Sequence, residues 1–200
     1  IRRSGKSVML ELIKQELIDS GVSSSQFISI NFENMRYTHL QTAKALYDEI
    51  SSRSAGIDGK IYLFFDEIQE VKDWEKCINS FRVALDCDIY ITGSNAKLLS
   101  GELATYLAGR YVEFIVYPFS FAEFLELYHS VFPEETVQKS FQQYILYGGM
   151  PYLANIRYAD EPSRQYLQDL FNSVQLKDIV KRNKIRDVDL LERIMAYVMA

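Results

Sequence analysis

The chain has 200 residues, 48% of them hydrophobic, enough for one globular domain with an appended region. A net charge of −5 gives no global bias toward nucleic acid, and no apolar run approaches the ~20 residues that a membrane span needs. Cys77 and Cys87 have neither metal-ligand spacing nor a disulfide framework, so both are expected as small buried groups in a reducing, cytoplasmic compartment.

The elements alternate. Met9, Leu12, Ile13 and Leu17 recur at helical spacing and predict a helix over Lys6–Asp19, stopped near Gly21. Gln26–Glu33 sets Ile28, Ile30 and Phe32 against Phe27, Ser29 and Asn31, which predicts a strand. A helix is expected over His39–Ser51. The continuous apolar run Ile61–Phe65, ending in Asp66 and Glu67, suits a central strand of a parallel sheet, buried on both faces. A helix over Trp74–Leu85 follows, with Trp74, Ile78, Phe81 and Leu85 on one face. Ile89–Thr92 and Tyr111–Val116 are expected as further strands.

After Pro118 the patterns are helical, and the last predicted helix runs over Leu190–Ala200. This order predicts an α/β fold, a parallel sheet flanked by helices and followed by helical regions. The expected parts are an α/β core over 1–119, a helical lid over 120–160 and the start of a helical C-terminal domain over 161–200.

The opening residues carry the first chemical signal. In the pattern G-x-x-x-x-G-K-[ST], Ile1, Arg2, Arg3 and Ser4 fill the x positions, and Gly5, Lys6 and Ser7 complete the end. The first glycine, and a strand ahead of it, are expected upstream of Ile1. Gly5 lets backbone N–H groups approach phosphate oxygens, Lys6 brings a point charge, the Ser7 hydroxyl binds Mg²⁺, and the helix that follows turns its positive end to the anion. The competing explanation is an ordinary helix N-cap at Ser4.

Asp66 and Glu67 form the second signal. An acid at this strand tip holds Mg²⁺, and an adjacent Glu polarises the attacking water. A pair of acids opening a helix is the alternative. The third signal is the strand–polar–helix stretch from Ile89, where Ser94 or Asn95 either reaches the γ-phosphate or caps a helix.

Taken together, RRSGKS, FFDEIQ, TGSNAKLLS, LAGR, YPFSFAEFLE, GGMPYL and LKDIVKRNKIRD span Arg2–Asp187. In this order the chain resembles a prokaryotic family of AAA-type P-loop ATPases with a C-terminal domain of unknown function. The resemblance implies ATP at the C-terminal edge of the sheet under a helical lid. Phosphate-loop contacts would come from Arg3, Ser4, Gly5, Lys6 and Ser7, with Ser7 and Asp66 on Mg²⁺. Glu67 would be the base and Ser94 and Asn95 the sensor. Arg110 would sense or stabilise γ-phosphate charge, in its own subunit or by self-association with a neighbour; a surface ion pair is its plainer role. Pro151, in GGMP, would lie near the adenine, or the element is a helix-breaking turn.

The implied activity is Mg²⁺-dependent ATP hydrolysis that drives or gates movement of the C-terminal domain. The alternative is a slow-turnover, nucleotide-dependent switch that binds a protein or DNA partner. A scaffold that has lost nucleotide binding is a third reading, which the intact Lys6, Ser7, Asp66 and Glu67 oppose. The basic residues Lys177, Lys181, Arg182, Lys184 and Arg186 are interrupted by Asp178, Asp187 and Asp189, with no aromatic between them, and fit a solvated helix face better than a nucleic-acid surface. His39 and His129 are isolated and point to no metal site.

Overall fold

A computed structural model describes residues 3–93, 109–174, 180 and 185–199. The chain divides into two compact units, Gly5–Val116 and Tyr117–Ala200, with Arg3 and Ser4 grouped with the second.

In the first unit, β1 (Phe27–Asn31), β2 (Ile61–Asp66) and β3 (Cys87–Ile91) form a three-stranded parallel sheet in the order β1-β2-β3. The apolar run predicts the central position of β2, where Leu63 and Phe65 are fully buried. The register pairs Ile28 with Leu63 and Ile30 with Phe65 on one side, and Leu63 with Ile89 and Phe65 with Ile91 on the other. Side chains alternate along a strand, so these residues share one face. Helices α2 (Ala43–Ser54) and α3 (Trp74–Ala84) contribute Leu46, Ile50, Trp74, Ile78 and Phe81 to the same core. Tyr47 stacks on Phe81 with ring centroids 5.6 Å apart. The other face carries an aromatic row in which Phe64 lies 5.9 Å from Phe27 and 4.8 Å from Tyr90.

Three expectations change. Helix α1 spans Lys6–Asp19 as predicted, but Leu10 is its buried residue, while Met9 and Leu12 are 43% and 60% exposed. The sheltered stripe is Leu10, Ile13, Lys14, Leu17 and Ile18; apolar residues lie all round this helix, so spacing alone left its rotation open. Helix α2 starts later than His39. Residues Met35–Leu40 form a 3-10 turn, and Thr42 caps α2 by accepting from Ala45 N at 3.3 Å. Tyr111–Val116 is not a strand: it pairs with none of the described residues, and Val112 and Phe114 are 78% and 83% exposed. β-propensity describes a side chain's fit to a pleated surface, whereas a strand also needs a neighbour's backbone groups.

Cys77 is buried in α3, and burial pushes its thiol up to about 12. Cys87 is half-buried, and burial raises its thiol as well. No described helix is long and apolar enough to cross a membrane.

The second unit is helical in its described residues: α4 (Phe121–Val131), α5 (Val137–Tyr147), a 3-10 turn at Pro151–Ala154, α6 (Asp160–Val174) and α7 (Val188–Met199). Ser120 and Glu123 form a capping box that starts α4. Ser120 Oγ accepts from Glu123 N at 3.5 Å; Ser120 Oγ donates to the Glu123 carboxylate at 2.7 Å and Ser120 N donates at 2.8 Å, and these two bonds, the hydroxyl's first, hold that carboxyl below the usual glutamate range. The core is aromatic, with Phe124 ring centroids 5.3 Å from Tyr128 and 5.4 Å from Tyr158. Asp160 ties α5 to α6: Tyr147 Oη donates to it, and Arg164 Nε donates at 2.8 Å.

The GGMP element is fixed by contact rather than by conformational freedom alone. Gly148 ends α5 with φ 72°. Gly149 O accepts from Phe119 N at 2.8 Å, and a Cβ on Gly149 would lie 2.0 Å from Phe119 O. The YPFS and GGMP stretches therefore meet backbone to backbone, and Tyr144 Oη donates to the same Phe119 carbonyl at 3.1 Å.

Candidate functional site

The parallel register brings three polar side chains into line at the C-terminal ends of the strands. Asn31 is the register partner of Asp66, and Thr92 follows Ile91, the partner of Phe65. Asn31 Nδ2 donates to Asp66 Oδ2 at 2.9 Å, and Thr92 Oγ1 donates to Asp66 Oδ1. Asp66 is 7% exposed, so this carboxylate is buried and gripped on both oxygens by neighbouring strands. An ionised carboxylate offers about four acceptor positions, so lone pairs remain for a further partner.

Thr92 also ties the next residue. Its Oγ1 accepts from Glu67 N at 3.2 Å, and its carbonyl accepts from Ile68 N at 3.1 Å. Glu67 has φ 56° and ψ 45°, the left-handed region that a non-glycine residue enters at some cost. It precedes a 3-10 turn (Ile68–Glu70) but caps it with no side-chain hydrogen bond. Its carboxylate instead accepts from Gln69 Nε2. The structure therefore gives the acidic pair no capping role.

Helix α1 packs against β2. Gly5, not Ser4, is its N-cap, with φ 99° and no capping side chain, and no acid lies in the first turn. The space a Cβ on Gly5 would enter is empty. Lys6 and Ser7 open the helix. A left-handed glycine, open space above it and a first turn without a side-chain cap fit an anion. The Ser7 hydroxyl and Asp66 carboxylate are hard oxygen donors of the type Mg²⁺ takes. Among the described residues no group of three or more His, Cys, Asp or Glu is placed to hold a metal ion.

The other candidates lie elsewhere or outside the described residues. Arg3 and Ser4 group with the second unit, where the Arg3 guanidinium lies 5.6 Å over the Tyr166 ring. Arg110 is exposed and donates from Nη1 to Asn79 Oδ1 of α3 at 3.4 Å. Pro151 opens the 3-10 turn after GGMP in the second unit. Ser94 and Asn95, and the basic residues Lys177, Lys181, Arg182 and Lys184, lie outside the described residues.

Asn31 and Thr92 are the site residues that spacing in the sequence did not reveal. Their signal was a polar residue closing each apolar strand, which acquires meaning only with the register. Truncating Asn31 to Ala removes the Oδ2 donor from a buried carboxylate. The expected cost is about 1–3 kcal/mol, read as a lower urea midpoint at unchanged slope.

A three-stranded parallel sheet flanked by helices, with α1 against its central strand, is an α/β fold of the P-loop NTPase type. Residues 1–125 match the family described as AAA domain, and the chain belongs to that family. Residues 138–200 match a domain of unknown function, DUF8612. The chain is 40% identical over 199 residues to an uncharacterized protein of Haemophilus influenzae, covering 99% of this chain and 49% of that protein. It is 30% identical over 196 residues to the uncharacterized protein MJ1544 of Methanocaldococcus jannaschii, covering 94% of this chain and 42% of that one. The chain thus spans about half the length of these relatives. No solved structure matches it.

Proposed function

We propose that the protein hydrolyses Mg-ATP to ADP and phosphate, and that the nucleotide state drives or gates movement of its helical C-terminal region. The observation that carries this reading is the Asn31–Asp66–Thr92 row at the strand ends, with Glu67 held in left-handed backbone beside it. A buried carboxylate fixed by two donors is preorganised for a cation, and an adjacent acid is the residue type that takes a proton from water.

Lys6 and the first-turn amides of α1 would neutralise the triphosphate. Ser7 and Asp66 would hold Mg²⁺, which would neutralise charge on the triphosphate. Glu67 takes one proton from water as the water oxygen bonds to the γ-phosphorus. The bond to the bridging oxygen breaks, and its electron pair leaves with ADP. For Arg3, Ser4, Ser94, Asn95, Arg110 and Pro151, the support is the family resemblance alone. A slow-turnover nucleotide switch is the second reading, favoured by the engagement of Glu67 by Gln69, which would restrain the base.

Nucleotide binding tests the site directly. Replacing Lys6 by Ala removes a charge-assisted contact to phosphate and is expected to weaken Mg-ATP binding by about 10–10²-fold in calorimetric titration. Unchanged affinity would remove Lys6 from the site.

A further inference from the structure

Arg3 and Tyr166 meet in the second unit, where no step of hydrolysis uses them. Tyr166 lies on α6, is buried, and shares the aromatic core with Leu153 and Leu170. The Tyr152 ring packs against it with centroids 4.9 Å apart. Its ring is therefore held in place, and the Arg3 guanidinium lies over it, 5.6 Å from the centroid. Arg3 itself is exposed, and its backbone has φ 56°, in the left-handed region that costs a non-glycine residue. An exposed residue stays in such backbone when its surroundings hold it there, and the Tyr166 ring is a hold that the structure shows.

Arg3 stands two residues before Gly5, which has φ 99° and starts α1 without a side-chain cap, the shape that fits an anion. Ser4, between them, is 2% exposed, so the path from Arg3 to Gly5 is confined. Whatever fixes the Arg3 backbone therefore fixes the approach to that end of α1. We infer that Tyr166 is a positioning residue for nucleotide binding: the face of its ring holds Arg3, and through Arg3 the phosphate loop, in the form that receives a triphosphate. This rests on the nucleotide-binding part of the reading above. An electron-rich ring face attracts a guanidinium, at an exposed site by a factor of about two to five. Without that hold the loop leaves its binding form more often, and apparent affinity falls in proportion. The coupling is reciprocal, so bound nucleotide tightens the Arg3–Tyr166 contact by the same factor. Occupancy of the loop is then felt at α6, which gives the helical region a link to the nucleotide state.

The test is calorimetric titration of the full-length protein with Mg-ATP. Wild type is set beside Arg3→Met, Tyr166→Phe, a phenylalanine carrying three ring fluorines at position 166, and the fluorinated ring combined with Arg3→Met. Arg3→Met keeps the length of the side chain and removes the cation. Fluorination keeps the shape of the ring and withdraws negative charge from its face, a change that a merely structural role would not register. Tyr166→Phe is expected to bind within about twofold of wild type. The fluorinated ring and Arg3→Met should each weaken binding about threefold, and the two together no further than either alone. Wild-type affinity with the fluorinated ring would overturn the role of Tyr166. So would an equal loss in Tyr166→Phe, which would place the hold in the hydroxyl. Losses that multiply to about ninefold would overturn it too, because Arg3 would then act on the nucleotide by itself. Failure of the wild type to bind Mg-ATP would instead overturn the nucleotide reading, and this inference with it.

Discussion

Replacing Glu67 by Gln is expected to lower ATP turnover by ~10²–10⁴-fold, the range for a positioned general base, while Mg-ATP still binds within a few-fold of wild type. Glutamine keeps the length and polarity of the side chain and loses the proton acceptor. It also leaves the backbone demand of position 67 unchanged, since both residues pay the same cost for the left-handed conformation. Stability should therefore hold while chemistry fails. The paired measurements are phosphate release under saturating ATP and calorimetric binding. A variant that turned over at the wild-type rate would show that Glu67 is only a turn residue. A variant that lost binding and turnover together would make it part of the nucleotide contact.

The second large effect lies in the helical unit. Gly149→Ala forces a Cβ to within 2.0 Å of Phe119 O, a backbone atom that cannot swing aside. Relief requires breaking the 2.8 Å Phe119–Gly149 hydrogen bond and shifting the start of α4. The expected destabilisation is about 3 kcal/mol, at the upper end for overpacking. Gly56→Ala is the control, because a Cβ there meets nothing within 4 Å and the backbone is not left-handed. Thermal melting compares the two. A near-neutral Gly149→Ala would mean that the contact yields and that GGMP owes its glycines to something other than this junction.

Where the sequence was legible, a single strong physical demand lay behind the pattern. The apolar run Ile61–Phe65 had to be covered on both faces, so the central position of β2 followed. Helix α3 repeats large apolar residues along one face, and Trp74, Ile78 and Phe81 of that face are buried. Helix α1 carries apolar residues on several faces, and its rotation was settled by packing. Tyr111–Val116 has strand composition but pairs with no described strand. Composition is local, and pairing is not.

The candidate site divides in the same way. Asp66 and Glu67 were visible because acids at the tip of a buried strand are conspicuous. Asn31 and Thr92 were not. Each is an ordinary polar residue at the end of its strand, and only the register sets Asn31 opposite Asp66. The contact between Gln69 and Glu67 was hidden for a related reason. Spacing shows that Gln69 follows Glu67 by two, but not that the turn folds its amide back onto that carboxylate. Ser4 as a helix cap was a sound local alternative; the left-handed Gly5 displaces it.

The most direct test of the central claim is phosphate release from ATP by the full-length protein, with Mg²⁺ present and then chelated. Turnover is expected to require Mg²⁺ and to disappear when the ion is removed. Mg-ATP that binds but is never hydrolysed, or turnover indifferent to Mg²⁺, would contradict it.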